Sequence, residues 1–324
     1  MLAVRSAIAA CLAVGFLVVP QSSAAEENGG GFVTLGTQGG PLPSALRSQP
    51  ANALVLEDGV YLVDTGDGAA GRLAAAGIPL QRLKGVFISH LHFDHTGGLA
   101  AILGLRFQLN APGVLTVYGP PGTAELVAGL VASMKPGAEA GYGVPDEQKP
   151  DPAAMVSVVE IRDGARIELG GLTVTAAENT HYSFPEGSSL DQRFDSLSFR
   201  FDTAERAIVY TGDSGPSENL EKLAKGADLL VSEMIDLDAT IDAVKRANPN
   251  MPEKALADMA HHLSDHHLTP HQVGQLASRA GVKHLVVTHL ATGATGSFDT
   301  AQYIAAIASK FDGKVTIAED LDRF

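Results

Sequence analysis

The sequence predicts a layered α/β domain built from two related halves, and three observations point there. Short apolar runs bounded by turn residues alternate with helical stretches in both halves of the chain. The composition, 45% hydrophobic and 19% charged, is that of a globular chain and excludes disorder. An internal echo suggests two halves: Leu62-Val63-Asp64-Thr65-Gly66-Asp67 resembles Val209-Tyr210-Thr211-Gly212-Asp213, and Ile88-Ser89-His90-Leu91 resembles Val287-Thr288-His289-Leu290. Each is an apolar strand that delivers a polar residue at its C-terminal end. The length of 324 residues fits two domains or one large α/β domain.

The elements follow in order. Residues 26–31 are a polar, Gly-rich start. Residues 53–56 and 60–63 are short strands split by the turn Glu57-Asp58-Gly59. The second ends in the tight loop Asp64-Thr65-Gly66-Asp67-Gly68, and a small-residue helix runs on to Ala76. Residues 86–88 form a buried strand leading into His90. A helix is expected over 96–103. A strand follows over 115–118, closed by Gly119-Pro120-Pro121-Gly122, then a helix over 123–134. Residues 135–152, rich in Gly, Pro and charge, read as a surface insertion or lid. Strands return at 156–161, 166–169, 172–176, 196–201 and 207–210. Helices at 218–225, 270–280 and 300–310 then alternate with strands at 229–232, 284–287 and 314–317.

The N-terminus carries a different pattern. Arg5 precedes 13 apolar or small residues, 7–19, and Pro20 and Ser22-Ser23-Ala24-Ala25 follow them. This reads as a signal peptide over residues 1–25, cleaved after Ala24 or Ala25, leaving one domain over 26–324. The run is shorter than the ~20 residues that span a bilayer. Ile8-Ala9-Ala10-Cys11 is superficially similar to a lipoprotein box, but most of the apolar run follows the Cys that should close it. The mature chain is therefore expected to be periplasmic or secreted, with no stable membrane insertion. Cys11 is the single cysteine, so the mature chain has no disulfide, thiolate nucleophile or thiolate metal ligand. Loss of Arg5 moves the net charge from −14 to about −15. That acidic balance argues against a nucleic-acid partner, which calls for Lys and Arg to displace counterions.

The chemistry is concentrated in His90-Leu91-His92-Phe93-Asp94-His95. Three imidazoles and a carboxylate leave one strand end within six residues, ahead of Thr96-Gly97-Gly98. Imidazole nitrogen with carboxylate oxygen suits Zn²⁺, and a tight loop can aim such groups at more than one ion. Here the chain resembles the metallo-β-lactamase-fold hydrolases, over about residues 53–324. Asp64 matches that family's structural Asp at a strand end, His181 in Asn179-Thr180-His181 its third station, Asp213 its bridging carboxylate and His289 its last histidine.

The resemblance implies a four-layer αββα sandwich with a dinuclear metal site at the edge between the halves. It implies two Zn²⁺ per chain: His90, His92 and His181 on one, Asp94, His95 and His289 on the other, Asp213 bridging both. A water held between two such cations ionises near neutral pH, and Asp94 can orient it. Three further stretches resemble the RNase Z and arylsulfatase-like branch: Val117-Tyr118-Gly119-Pro120-Pro121-Gly122-Thr123, Glu233 after Leu229-Leu230-Val231-Ser232, and His267-Leu268-Thr269. Thr269 and Gln272 make a capping box with Pro270 at the first helical position, so His267 sits on a fixed loop. In that branch Glu233 would orient His267, which gives a proton to the leaving oxygen or holds an ester oxygen. His261, His262, His266 and His271 crowd around it and read as solvated or supporting.

One departure matters. There is no inserted basic arm of the kind RNase Z uses to grasp tRNA, and with the export signal this sets tRNA processing aside. The expected function is an exported dinuclear zinc hydrolase in which hydroxide attacks a small anionic ester, a phosphodiester or an aryl sulfate. The alternatives are a β-lactamase or lactonase on the same fold, in which the Glu233/His267 pair is idle, and an iron-dependent oxidoreductase or a non-catalytic metal binder. Residues 135–152 and 182–193 are expected to wall the site, with Arg193 left outside it as a surface residue. The oligomeric state is open, a homodimer being allowed.

Overall fold

The computed structural model describes residues 31–144, 150–182, 184–293 and 298–324. The expected signal peptide, residues 1–25, lies outside the described residues. So does the middle of the expected lid.

The first sheet contains β1 (Gly31–Gly36), β2 (Ala51–Leu56), β3 (Gly59–Thr65), β4 (Leu83–Phe87), β5 (Leu115–Gly119) and β6 (Val156–Glu160). The second contains β7 (Arg166–Leu169), β8 (Leu172–Glu178), β9 (Leu197–Asp202), β10 (Ala207–Tyr210), β11 (Leu229–Ile235), β12 (His284–Ala291) and β13 (Lys314–Ile317). The last strand, β14 (Asp322–Arg323), returns to the first sheet beside β1. The strand orders are β14-β1-β2-β3-β4-β5-β6 and β13-β12-β11-β10-β9-β8-β7.

Read from β14 and from β7, the two sheets have the same grammar: three antiparallel pairings, then three parallel ones. β3 thus corresponds to β10, as the first sequence echo suggests. The second echo is out of step: β4 corresponds to β11, not β12. Phe87, paired with Val63, answers to Val231, paired with Tyr210, so the residue equivalent to Ser89 is Glu233, and His289 has its own strand.

Helices α1 (Ala69–Ala75), α2 (Phe93–Thr96), α3 (Leu99–Gln108) and α4 (Thr123–Ala140) belong to the first half. The second half carries α5 (Glu218–Ala224), α6 (Leu237–Ala247), α7 (Glu253–Asp265), α8 (Pro270–Ala280) and α9 (Ala301–Ala308). Strand alternation sorts the core into layers. Tyr61, Val63, Phe87 and Tyr118 of the first sheet face Phe199, Phe201, Ile208 and Val231 of the second. Phe87 anchors this seam, stacked on Tyr118 at 4.8 Å and edge-on to Phe199 and Phe201 at 5.6 and 5.5 Å. The alternate residues Leu62, Val86 and Val117 pack outward under α1, α3 and α4. Val209, Leu230 and Val287 do the same under α5, α8 and α9. The result is the four-layer αββα sandwich.

Several elements go beyond the sequence reading. β1 and β14 had no counterpart there, and α6 and α7 occupy a stretch left without elements. α4 runs six residues past the expected end, through Pro136 to Ala140. The described parts of 135–152 depart from the lid reading. α4 starts beside Leu91 and leads away from it, Tyr142 donates to the carbonyl of Gln108 at the far end of α3, and Pro152 and Met155 pack with Leu103 and Leu115. These contacts lie at the end of the sheet opposite the His90 loop. Among the described residues no helix is long and apolar enough to cross a membrane.

Candidate metal centre

Two bulges aim the site. Asp64 is the extra residue between pairs Asn52–Val63 and Ala51–Thr65, and its φ is +58°. In β12, Thr288 and His289 together face Glu233 of β11, and His289 has φ +42°. Left-handed backbone at non-glycine residues costs about 1–3 kcal/mol each and persists only where the surroundings impose it. Here each bulge turns a side chain off its sheet and into the seam.

Asp64 is fully buried and accepts four hydrogen bonds. Oδ1 takes the Ser89 N–H at 2.7 Å; Oδ2 takes the Ser89 hydroxyl at 2.7 Å and the Tyr210 hydroxyl at 2.8 Å, and lies 2.7 Å from His95 Nδ1. It thus fixes the tautomer of His95 and leaves Nε2 free as a ligand atom. His181 is held the same way. Its Nδ1 lies 3.2 Å from the carbonyl oxygen of His266, and its backbone N–H donates to Asn179 Oδ1 at 3.1 Å.

All seven expected ligands converge. The ligand atoms of His90, His92 and His181 form one group, and those of Asp94, His95, Asp213 and His289 a second, each within 4.8 Å of one another. Asp213 turns one oxygen to each group. Oδ2 lies 4.0 Å from His90 Nε2 and 3.9 Å from His181 Nε2; Oδ1 lies 3.2 Å from both His95 Nε2 and His289 Nε2. Asp94 Oδ2 is 3.5 Å from His95 Nε2 and from His289 Nε2. A tetrahedral ion with bonds of about 2.0 Å holds its ligand atoms about 3.3 Å apart, so these spacings fit coordination.

A second observation agrees. His90 Nε2, His95 Nε2, His289 Nε2 and Asp213 Oδ1 are buried without a hydrogen-bond partner, which is costly for polar atoms unless a cation takes that place. Burial also holds the His90 and His181 imidazoles far below their ordinary value, hence neutral and able to coordinate. Burial pushes His95 and His289 down too, but the carboxylates of Asp213 and Asp94 overcome it and hold protons on both rings. A cation entering the second group displaces those protons.

Glu233 and His267 meet beside this centre. Glu233 is fully buried on β11, opposite the β12 bulge. Its Oε1 accepts the Ser214 N–H at 2.7 Å, and Oε1 and Oε2 lie 3.1 and 2.8 Å from His267 Nδ1. His267 Nε2 is left for other work. Burial pushes this imidazole down, but the Glu233 carboxylate and its hydrogen bond more than offset that and lift it to about 9. Gln272 Oε1 accepts from both the N–H and the hydroxyl of Thr269, as the capping box requires. The His267 ring stands 4.9 Å from His181.

Two of the histidines read as solvated or supporting lie against the centre. His262 on α7 lies 5.4 Å from the His181 ring, and with His181 and His267 it forms a third group of ligand-capable atoms that shares His181 with the first. His266 touches the chain through Nδ1 against the carbonyl of Thr180. Both come from the His-rich stretch, whose crowding gave no way to rank them. Arg193 stays outside the centre, 2.8 Å from Glu125.

Residues 60–290 match the family model described as the beta-lactamase superfamily domain. The ribonuclease Z of Mycobacterium avium is 31% identical over 296 residues, which are 90% of this chain and 96% of that protein. The metallo-beta-lactamase fold protein YhfI of Bacillus subtilis shares the fold with a TM-score of 0.63 at 18% identity, covering 91% of this chain and 98% of that one. The short form of human tRNase Z does so with 0.62 at 22%, again over 91% and 98%.

These relatives correct one expectation. Nucleic acid was set aside on net charge and the missing basic arm, yet a relative spanning 90% of the chain is named as a ribonuclease. Net charge is a poor criterion because phosphate is bound by local fields, and a pair of bound cations is a larger local charge than several lysines. The chain belongs to the beta-lactamase superfamily of metallo-β-lactamase-fold hydrolases, with ribonuclease Z among its homologues.

Proposed function

We propose that this chain hydrolyses phosphodiester bonds with two zinc ions, one held by His90, His92 and His181 and the other by Asp94, His95 and His289, under the shared carboxylate of Asp213. The observation that carries this reading is the Glu233–His267 pair beside the two ligand groups, 2.8 Å apart at Nδ1. When bound, the ions supply Lewis acidity to the phosphoryl oxygens and make water acidic. The chain's own residues do the rest. Asp94 orients the attacking water by accepting its hydrogen bond. Glu233 keeps His267 charged and fixes its ring, and Nε2–H gives its proton to the departing alcohol oxygen. Relatives named as ribonucleases support the same bond type. Export, with the substrate met outside the cytoplasm, belongs to this reading and rests on the N-terminal pattern.

The test is to purify the mature chain and measure its metal by mass spectrometry. It is then assayed against an aryl phosphodiester, an RNA oligomer, an aryl sulfate, a lactone and a β-lactam. Two zinc ions per chain and turnover of a phosphodiester are expected. Turnover confined to lactone or β-lactam, or one iron per chain without hydrolysis, overturns the reading.

A further inference from the structure

We propose that a strip of aromatic rings leading outward from the first ligand group binds a flat aromatic ring of the substrate next to the scissile phosphorus. This rests on the phosphodiesterase reading and names which phosphodiesters the site prefers.

The strip begins at Tyr182, directly after the ligand His181. Its ring stands edge-on to His92 at 5.5 Å and 74°, and to His90 at 6.0 Å and 77°. Its hydroxyl accepts the Leu91 N–H at 3.2 Å, which pins the ring in place. Phe184 follows at 5.0 Å from Tyr182, and Phe194 at 6.3 Å from Phe184. All three rings are half-buried, and none belongs to the hydrophobic clusters that hold the sheets and helices together. They are therefore a surface feature of the site and not part of the core.

The outer end of the strip is closely packed. Gly122 has φ +101°, and a Cβ there would stand 2.7 Å from Leu91 Cδ1 and 3.2 Å from the Phe194 ring. The Arg193 guanidinium sits 4.7 Å from the centre of Phe194, with its charge paired to Glu125. At the first position of α2, between His92 and Asp94, Phe93 is 81% exposed. Aromatic side chains at the lip of a polar site are platforms for stacking, which tolerates any flat ring and is indifferent to its polar edge. Phosphodiesters of nucleosides and of phenols share that ring.

The experiment uses the zinc-loaded protein and three p-nitrophenyl phosphodiesters whose other alcohol is methanol, phenol or the 5′-hydroxyl of thymidine. The leaving group is then constant. The two esters with a second ring should exceed the methyl ester in kcat/KM by about 5- to 150-fold, the ratio one additional stacked ring supplies, chiefly through KM. Phe184→Leu should carry both ratios down toward one, Phe184→Tyr should keep them, and Phe194→Leu gives an independent check. Comparing ratios within each variant controls for intrinsic reactivity, and the thermal midpoint reports folding. Equal kcat/KM for the three esters, ratios unmoved by Phe184→Leu, or a preference for the thymidine ester alone each overturn the strip while leaving the phosphodiesterase reading in place. Failure to hydrolyse any of the three overturns that reading itself, and the strip with it.

Discussion

Glu233→Gln isolates one charge in the centre. The amide oxygen still accepts the Ser214 N–H that Oε1 takes at 2.7 Å, so the side chain keeps its place opposite the β12 bulge. What is lost is the carboxylate 2.8 Å from His267 Nδ1. In the native chain that carboxylate overcomes burial and lifts His267 to about 9. A raised histidine value means the proton is held below it and lost above it. Without the charge, His267 titrates near or below its ordinary 6.5, so the alkaline fall in activity moves down by about two pH units or more. At pH 8 the protonated fraction drops from about nine-tenths to a few per cent, roughly a 30-fold loss in kcat/KM, while near pH 5.5 the loss is small. The assay is a pH profile with diphenyl phosphate, whose phenol leaves poorly and needs the proton. Bis(p-nitrophenyl) phosphate serves as control, because its leaving group barely does. Superimposable profiles for the native chain and the variant, or an equal loss at every pH and with both substrates, would refute proton donation by His267.

Three further outcomes are expected. In Gly40→Ala the new Cβ would stand 2.0 Å from Asp94 Oδ2 and push that carboxylate away from His95 and His289. The second ion should then bind about 10- to 100-fold more weakly while the first is unaffected, as competition with a graded chelator will read. Loading the second group should release protons, since His95 and His289 hold them in the metal-free chain. Affinity should fall by up to about tenfold per proton for each pH unit of acidification. Calorimetry in buffers of different ionisation enthalpy counts those protons, and a count of zero contradicts the geometry. Expressed through an export pathway, the mature chain should begin at Ala25 or Glu26, and an intact mass retaining residues 1–25 rules the signal peptide out.

The ligand set was legible because its densest part is local. Four ligands within His90–His95 leave one strand, and such spacing survives any uncertainty in element boundaries. His181, Asp213 and His289 were legible through order along the chain and their places after apolar runs. The bulges were not. Nothing in the letters Asp64 or His289 announces a left-handed backbone, and that conformation is imposed by partners from other strands. The correspondence of β4 with β11 was hidden for the same reason: Ser89 and Glu233 are equivalent in topology but unlike in chemistry. α6 and α7 were passed over although α7 carries a helical pattern: Leu256, Met259, Ala260 and Leu263 recur at i, i+3, i+4 and i+7 and form its half-buried face. The lid reading took Gly and Pro as loop signals, whereas Pro136 sits inside α4, whose buried residues Thr123, Val127 and Val131 all precede it.

The origin of the ligands has a mechanical consequence. His90, His92, Asp94 and His95 come from the first half, and His181, Asp213 and His289 from the second. A loaded centre therefore ties residue 90 to residue 289 and closes a loop of about 200 residues. In the unfolded chain, a cross-link of that span is the kind that restricts conformational freedom most. With a single cysteine the chain has no internal disulfide. With metal bound, its staples would be coordination bonds, opened by acid and chelators, indifferent to reductants, and set only after nearly the whole polypeptide has been made.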